Sequence, residues 1–328
     1  TELTESAVEL LKKLISIQSF SKEEDKTADA IQSWLSHYRI PTERDLNNII
    51  AKNKFWDDSK PTLLLNSHHD TVKPNTAYTK DPFQPHIEDG KLFGLGSNDA
   101  GGPLVSLLAT FVHFYDSEKL NHNILMVASA EEENAGENSL RGLLPKLPPI
   151  DVAIVGEPTL MQLAIAEKGL VVFDAVIKGT PSHAAHPNND NSIYNSIKVL
   201  DWFKNYSFEK TSEALGDVKM TVTQISAGTQ HNVVPAQVDL VIDVRVNDAY
   251  SNKEIAELLK KDAPCELRER SLRLNSSKID KDHPLVKSGI ALGRTTYGSP
   301  TLSDQAALNC QSLKLGPGDS TRSHSANE

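Results

Sequence analysis

The sequence predicts an α/β chain of two domains, a mainly parallel-sheet domain interrupted by an inserted α+β domain. Three observations lead there. Short apolar runs at Thr62–Ser67, Ile124–Ser129 and Val152–Val155 suit strands buried on both faces, as in a parallel sheet covered by helices. Between the first two runs lies Gly102–Tyr115, apolar and of helix length, and strand–helix–strand is the order of an α/β domain. From about Leu170 the order becomes β-α-β-β-α-β, the split, ferredoxin-like arrangement.

Taken in order, Ala7, Val8, Leu11, Leu14 and Ile15 recur at helical spacing and give a first helix, and a second is expected over Thr27–Tyr38. The buried runs follow. The inserted domain is read as a strand at Leu170–Lys178, a helix at Ser192–Asn205, strands at Lys219–Ser226 and Gln237–Val246, a helix at Asn252–Lys261 and a strand near Glu266–Leu274. From Gly289 onward the chain reads as a return to the first domain. The expected division is 1–165, 166–275 and 276–328, with the middle part inserted. There is no internal repeat or low-complexity segment.

Composition removes several classes of function. With 38% hydrophobic and 24% charged residues over 328 positions, the chain reads as globular rather than disordered. A net charge of −10 argues against a nucleic-acid partner. No apolar run approaches the ~18–20 residues that span a bilayer, so no membrane partner is expected, and no secretion leader is read. Two cysteines, Cys265 and Cys310, make neither a disulfide framework nor a thiolate metal site, so a reducing cytoplasm is the expected compartment. Any metal would fall to His, Asp and Glu.

Those residues gather after the apolar runs. TLLLNS is followed by His68-His69-Asp70, ILMVAS and Ala130 by Glu131-Glu132-Glu133, and VAIV by Gly156-Glu157-Pro158. Ligands of open α/β sheets bind outside the carboxyl ends of strands, so one sheet edge receives all three groups. At strand period His68 and Asp70 point one way and His69 the other. His68 is therefore the ligand candidate, Asp70 its orienting partner, and His69 a packed or partner-facing histidine. Three consecutive acids usually form a solvated run. At the end of a buried strand they need compensation, and cations supply it. Gly94-Leu95-Gly96-Ser97-Asn98-Asp99 adds a carboxylate before a helix; with Asp99 where a third glycine would stand, it is not read as a nucleotide loop. A loop signal, Gly316-Pro317-Gly318-Asp319, precedes His324, with Asn327-Glu328 behind.

Nine segments, in order along nearly the whole chain, resemble the metallopeptidase family of acetylornithine deacetylase, succinyl-diaminopimelate desuccinylase and glutamate carboxypeptidase. They are SHHDTV (67–72), GLGSNDAGG (94–102), AEEENAG (130–136), VGEPT (155–159), KGTPSHAAHP (178–187), GTQHNVVP (228–235), DVR (243–245), LSDQAAL (302–308) and GPGDSTRSHSANE (316–328). Glu157, where several aminopeptidase relatives carry Asp, points to the deacetylase and desuccinylase branch.

The resemblance implies a di-metal catalytic domain with an inserted dimerisation or lid domain, and two metal ions, usually zinc, with cobalt or manganese tolerated. Asp99 would bridge them, His68 and Glu157 completing one metal and Glu133 and His324 the other. Asp70 would support His68, and Glu132 would be the general base. His183, from the partner subunit of a homodimer, would donate to the oxyanion. Arg245 would clamp the substrate α-carboxylate, with Asn232 a weaker polar contact. Gly316 and Gly318 would either present backbone amides to the substrate or form a plain tight turn. Without the resemblance, His183 reads as a turn histidine and Arg245 as a surface or an ion-paired arginine. The implied activity is deacylation of an N-acyl-L-amino acid, N-acetyl- or N-succinyl-ornithine or -citrulline, in arginine biosynthesis. A metallo-carboxypeptidase or dipeptidase of the same fold, or an inactive metal-binding relative, are the alternatives.

Overall fold

The computed structural model describes residues 1–328. They form two compact units: Thr1–Ile165 with Ile279–Tyr297 and Ser303–Glu328, and Ala166–Lys278 with Gly298–Leu302. No helix is long and apolar enough to cross a membrane.

The first unit is built on a sheet in the order Glu43–Asp45, Asn48–Lys52, Asn123–Ser129, Thr62–His68, Val152–Val155, Gln311–Lys314, Leu163–Glu167. The four strands from Asn123–Ser129 to Gln311–Lys314 run parallel, and the flanking pairs are antiparallel. The sheet is therefore parallel where the sequence shows continuous apolar runs and antiparallel at the sides. Both faces are covered, as such runs require. Leu65, Met126 and Ala128 pack with Leu10, Leu14, Ile31, Leu104, Leu108 and Phe111 of three helices, Glu2–Ile15, Asp25–His37 and Gly102–Phe114. Leu64, Leu125, Val127 and Ala153 point the opposite way, onto Leu140 and Leu143. The first helix carries its own signals: the Thr1 side chain accepts the Thr4 amide, Glu2 and Glu5 lie in the first turn and Lys12 and Lys13 in the last.

Register decides where the chemistry falls. His68 pairs with Ser129, Asn66 with Val155, and Lys314 with Val155. The parallel strands thus end together, and the residues after them leave the sheet at one edge.

The second unit has a four-stranded antiparallel sheet in the order Lys219–Ala227, Gln237–Val246, Gly169–Lys178, Glu266–Glu269, with helices Ser192–Asn205 and Asn252–Asp262. Alternate residues Val171, Phe173, Ala175 and Ile177, with Val238, Leu240, Ile242 and Val244, form the core with Val199, Phe203, Ile255 and Leu259 of the helices. The helix Asn252–Asp262 starts from a capping box of Ser251 and Glu254. One sequence expectation needs correction: the last strand stops at Glu269 rather than near Leu274. The Arg270 amide still bonds the Val172 carbonyl, but beyond it Ser271 Oγ accepts the Arg273 amide, a local bond that competes with the ladder, and pairing returns as the single Leu274–Leu170 bridge.

Candidate metal centre

The pleat at the end of Thr62–His68 separates its two histidines. His69 is buried on the helix side, where Nε2 donates to the Asn47 carbonyl (2.9 Å) and Nδ1 meets Thr27 Oγ1 (2.9 Å). Burial drives its pKa down to about 4, so it is a neutral packed residue, as the strand period predicts. His68, 1% exposed, faces the carboxylates. Its Nδ1 donates to the Asp70 carbonyl at 3.0 Å, which turns Nε2 toward Asp99 Oδ1 at 3.2 Å. Burial opposes a charged His68, yet Asp70 and Asp99 outweigh it and raise its pKa well above the ordinary value.

Asp70 is wholly buried and links three parts of the centre. Oδ1 accepts the Glu132 amide (3.1 Å) and lies 3.3 Å from His68 Nδ1; Oδ2 accepts the Glu133 amide (3.1 Å) and the Ser21 hydroxyl (2.7 Å). One carboxylate thus orients His68 and fixes the backbone of two of the three consecutive acids. The third, Glu131, has φ +53° and turns its side chain aside to accept from Asn138 at 2.8 Å. That turn frees Glu132 and Glu133 to face the sheet edge.

Asp99 follows Gly94 and Gly96, both at positive φ, in the irregular turn Ser97–Gly101. Its two oxygens face two different imidazoles: Oδ1 is 3.2 Å from His68 Nε2, and Oδ2 is 3.7 Å from His324 Nε2. His324 Nε2 also donates to Glu133 Oε2 at 3.0 Å, and this bond raises its pKa to about 9. Glu157 Oε1 and Glu132 Oε2 each lie 4.0 Å from His68 Nε2. Burial first, and Asp99 next, push Glu157 up to about 8; burial likewise raises Glu132 well above its ordinary value.

These residues fit a bound cation. Ligand atoms of His68, Asp99 and Glu133 lie within 4.8 Å of one another. The donors are imidazole nitrogen and carboxylate oxygen, which zinc, cobalt and manganese accept. Ionised carboxylates at a buried edge are costly without a compensating charge, and the upward pKa shifts of Glu132 and Glu157 are in the direction that cost dictates.

The structure brings His68, Asp70, Asp99, Glu132, Glu133, Glu157 and His324 together in the first unit. Gly316 and Gly318 lie there too. The Gly316 amide donates to Thr159 Oγ1 (3.1 Å) and its carbonyl accepts from Thr159 and Met161, so this amide is occupied by the segment that follows Glu157. A Cβ at Gly316 would meet the Glu157 carbonyl at 2.6 Å, so glycine there lets the Glu157 strand end approach. His183, Asn232 and Arg245 belong to the second unit. The short pairing of Ser182–His183 with Val233–Val234 sets His183 beside Asn232, whose carbonyl accepts the Ala184 amide. The Arg245 fork is closed on Asp243, two residues away on its strand, at 2.9 and 3.1 Å.

Two participants were not singled out by sequence. Asp304, within LSDQAAL, is buried and accepts the Ser129 hydroxyl at 2.5 Å; burial brings its pKa to about 6, and its charge adds to the rise at Glu132. Glu328, behind His324, is buried and accepts the Gly96 amide. Only their motif neighbours could have pointed to them.

The profile of Peptidase family M20/M25/M40 matches residues 64–328. A succinyl-diaminopimelate desuccinylase of Wolbachia pipientis subsp. Culex pipiens (strain wPip) is 26% identical over 290 residues, 83% of this chain and 72% of that one. The desuccinylase of Helicobacter pylori (strain ATCC 700392 / 26695) is 26% identical over 334 residues, covering 92% and 86%. The fold is similar to that of an M20 family metallo-carboxypeptidase from Sulfolobus solfataricus, with TM-score 0.75, 17% identity and coverage of 98% and 94%.

Proposed function

We propose, from the premise that the chain belongs to peptidase family M20/M25/M40, that it hydrolyses the amide bond of an N-acyl-L-amino acid with Glu132 as general base. The observation that carries this reading is Glu132 itself. Its backbone is fixed by Asp70, its side chain is 17% exposed, and its carboxylate lies 4.0 Å from His68 Nε2 beside the ligand cluster.

The proposed cofactor is a pair of divalent ions, zinc by preference, with cobalt or manganese as substitutes. Asp99 is the proposed bridge, supported by its two oxygens facing separate imidazoles. His68 and Glu157 would hold one ion, Glu133 and His324 the other. Such ions lower the pKa of water and polarise a carbonyl. The remaining work belongs to side chains. Asp70 holds the His68 ring so that Nε2 faces the centre. Glu132 accepts the proton of the attacking water and returns it to the leaving amine, a role favoured in a carboxylate whose pKa burial raises well above its ordinary range. Arg245 is the proposed clamp for the α-carboxylate, which requires its fork to exchange Asp243 for substrate. His183 is proposed as the oxyanion donor, acting from a second copy of the chain.

A homodimer is proposed on that account. Its support is the exposure of Ile193, Tyr194 and Ile197 on helix Ser192–Asn205 and of Ile225 on the edge strand Lys219–Ala227. Cys265 and Cys310 are free thiols, which supports a cytoplasmic setting.

The relatives' names put succinyl-diaminopimelate ahead of the acylated ornithine or citrulline suggested by the sequence. The test is kcat/KM with added zinc or cobalt for succinyl-diaminopimelate, N-acetylornithine, N-acetylcitrulline, N-succinylornithine and a set of dipeptides. Turnover of one acylated amino acid above every dipeptide is expected. Dipeptide turnover above all acylated amino acids would make the chain a dipeptidase instead. A sedimentation run showing only monomer would contradict His183 acting from a second copy.

A further inference from the structure

We propose that Glu328, assisted by Asn327, is the positioning residue for the loop that carries Asp99. The proposal rests on the metal-site reading above. The loop before Asp99 has few bonds of its own, since Gly94 and Gly96 hold it at φ +154° and +75° outside regular structure. The Leu95 amide is held by the Pro82 carbonyl at 2.8 Å, and both glycine amides are held by the segment behind His324. The Glu328 carbonyl accepts the Gly94 amide at 2.9 Å, and Glu328 Oε1 accepts the buried Gly96 amide at 3.0 Å. Asn327 Oδ1 accepts the amides of Thr79 and Lys80 at 3.1 and 3.0 Å, and its Nδ2 donates to Thr79 Oγ1 at 2.8 Å. On the other side of the loop, Asn98 Oδ1 accepts the Asp319 amide at 2.8 Å and its Nδ2 donates to the Asp319 carbonyl at 3.1 Å.

The segment that delivers His324 therefore also grips the loop that delivers Asp99. Two ligands 225 positions apart in sequence are set against each other, at 3.7 Å, by residues that are not ligands. The Glu328 side chain matters because its Oε1 is the acceptor that satisfies the buried Gly96 amide. Without it the Gly96 amide is buried unpaired. Glu328→Ala then lets the Asp99 loop drift, and at least one ion loses its ligand geometry. Glu328→Gln keeps an oxygen that can accept the same amide.

The test is cobalt binding to the chelated full chain, followed by visible absorption and by competition with a chelator. Wild type, E328A, E328Q and N327A are compared, with a melting curve for each. The expected result is a loss of roughly 10–100-fold in affinity for at least one ion in E328A, the range for outer-shell partners. Its cobalt spectrum should change, N327A should show a smaller loss, and E328Q should restore most of the affinity. Cobalt affinity and spectrum in E328A equal to wild type would overturn the proposal. So would a folded E328Q as defective as E328A. If E328A fails to fold, E328Q and N327A decide: wild-type cobalt binding in N327A would overturn the proposal. A wild-type chain that binds no cobalt would overturn the metal-site reading itself.

Discussion

The two units differ in where they keep their acids: both pair some at the surface, and the first also crowds several at a buried sheet edge. In the second, acids are paired at the surface: Arg270 with Asp174, Lys178 with Glu266, Lys260 with Glu269 and Arg245 with Asp243. In the first, Asp70, Asp99, Glu132, Glu133, Glu157 and Asp304 crowd around the imidazoles of His68 and His324. Pairing at a surface needs no further partner and contributes little. Ionised acids crowded at a buried sheet edge are costly and call for added positive charge or protonation. The difference marks the first unit as the one whose residues fit a bound cation.

The largest expected effect comes from removing the base while keeping its shape. Glu132→Gln should lower kcat by about 10²–10⁴-fold with bound metal unchanged, measured by turnover and metal analysis on the same sample. A variant as active as wild type would remove Glu132 from its role.

His68 and His69 offer a sharper contrast one residue apart. His69 has a folded pKa of about 4 against an ordinary 6.5. The unfolded chain then binds the extra proton between those values, so the stability due to neutral His69 is present above pH 6.5 and lost as pH falls toward 4. At about 1.4 kcal/mol per pH unit, this is about 3 kcal/mol. Denaturant unfolding of His69→Asn should show a pH slope flatter by about that amount across the same window. Glu157 runs the other way. Its folded pKa of about 8 lies above the ordinary 4.5, so after chelation its contribution is lost as pH rises through 8. Bound metal should abolish that loss.

Asp70→Ala removes the acceptor shared by His68, Glu132 and Glu133. Metal affinity is expected to fall by roughly 10–100-fold, read by chelator competition. The smallest effect is expected in the second unit. Arg245→Ala breaks a half-exposed pair with Asp243, and stability should change by only about 0.2–1 kcal/mol. If Arg245 clamps substrate, the same variant raises KM far more than that change accounts for; an unaltered KM would return it to the surface pair seen here.

Much of the fold and the site is legible in the sequence, for identifiable reasons. Thr62–His68, Asn123–Ser129 and Val152–Val155 announce themselves because both faces are buried and nearly every position is apolar or small until the chemistry starts. The period of two is enough by itself to separate His68 from His69. What the sequence hides depends on contacts made across long separations. The antiparallel strands Glu43–Asp45 and Asn48–Lys52 are too short to show a period, and Asn48–Lys52 is held by its pairing with Asn123–Ser129. Asp304 reaches Ser129, 175 positions away, and Glu328 reaches Gly96, 232 positions away. Nothing local to Gly316 shows that its amide is occupied, because the acceptor, Thr159 Oγ1, lies 157 positions away.

The most direct test is metal stoichiometry coupled to turnover. The chelated chain, titrated with zinc or cobalt while amine release from succinyl-diaminopimelate and the other acylated amino acids is followed, should bind metal at the first unit's cluster. It should regain activity in step with that binding and lose both in Asp99→Ala. A chain that hydrolyses its substrate equally well after exhaustive chelation, or that binds no metal with His68, Asp99 and Glu133 intact, would contradict the account.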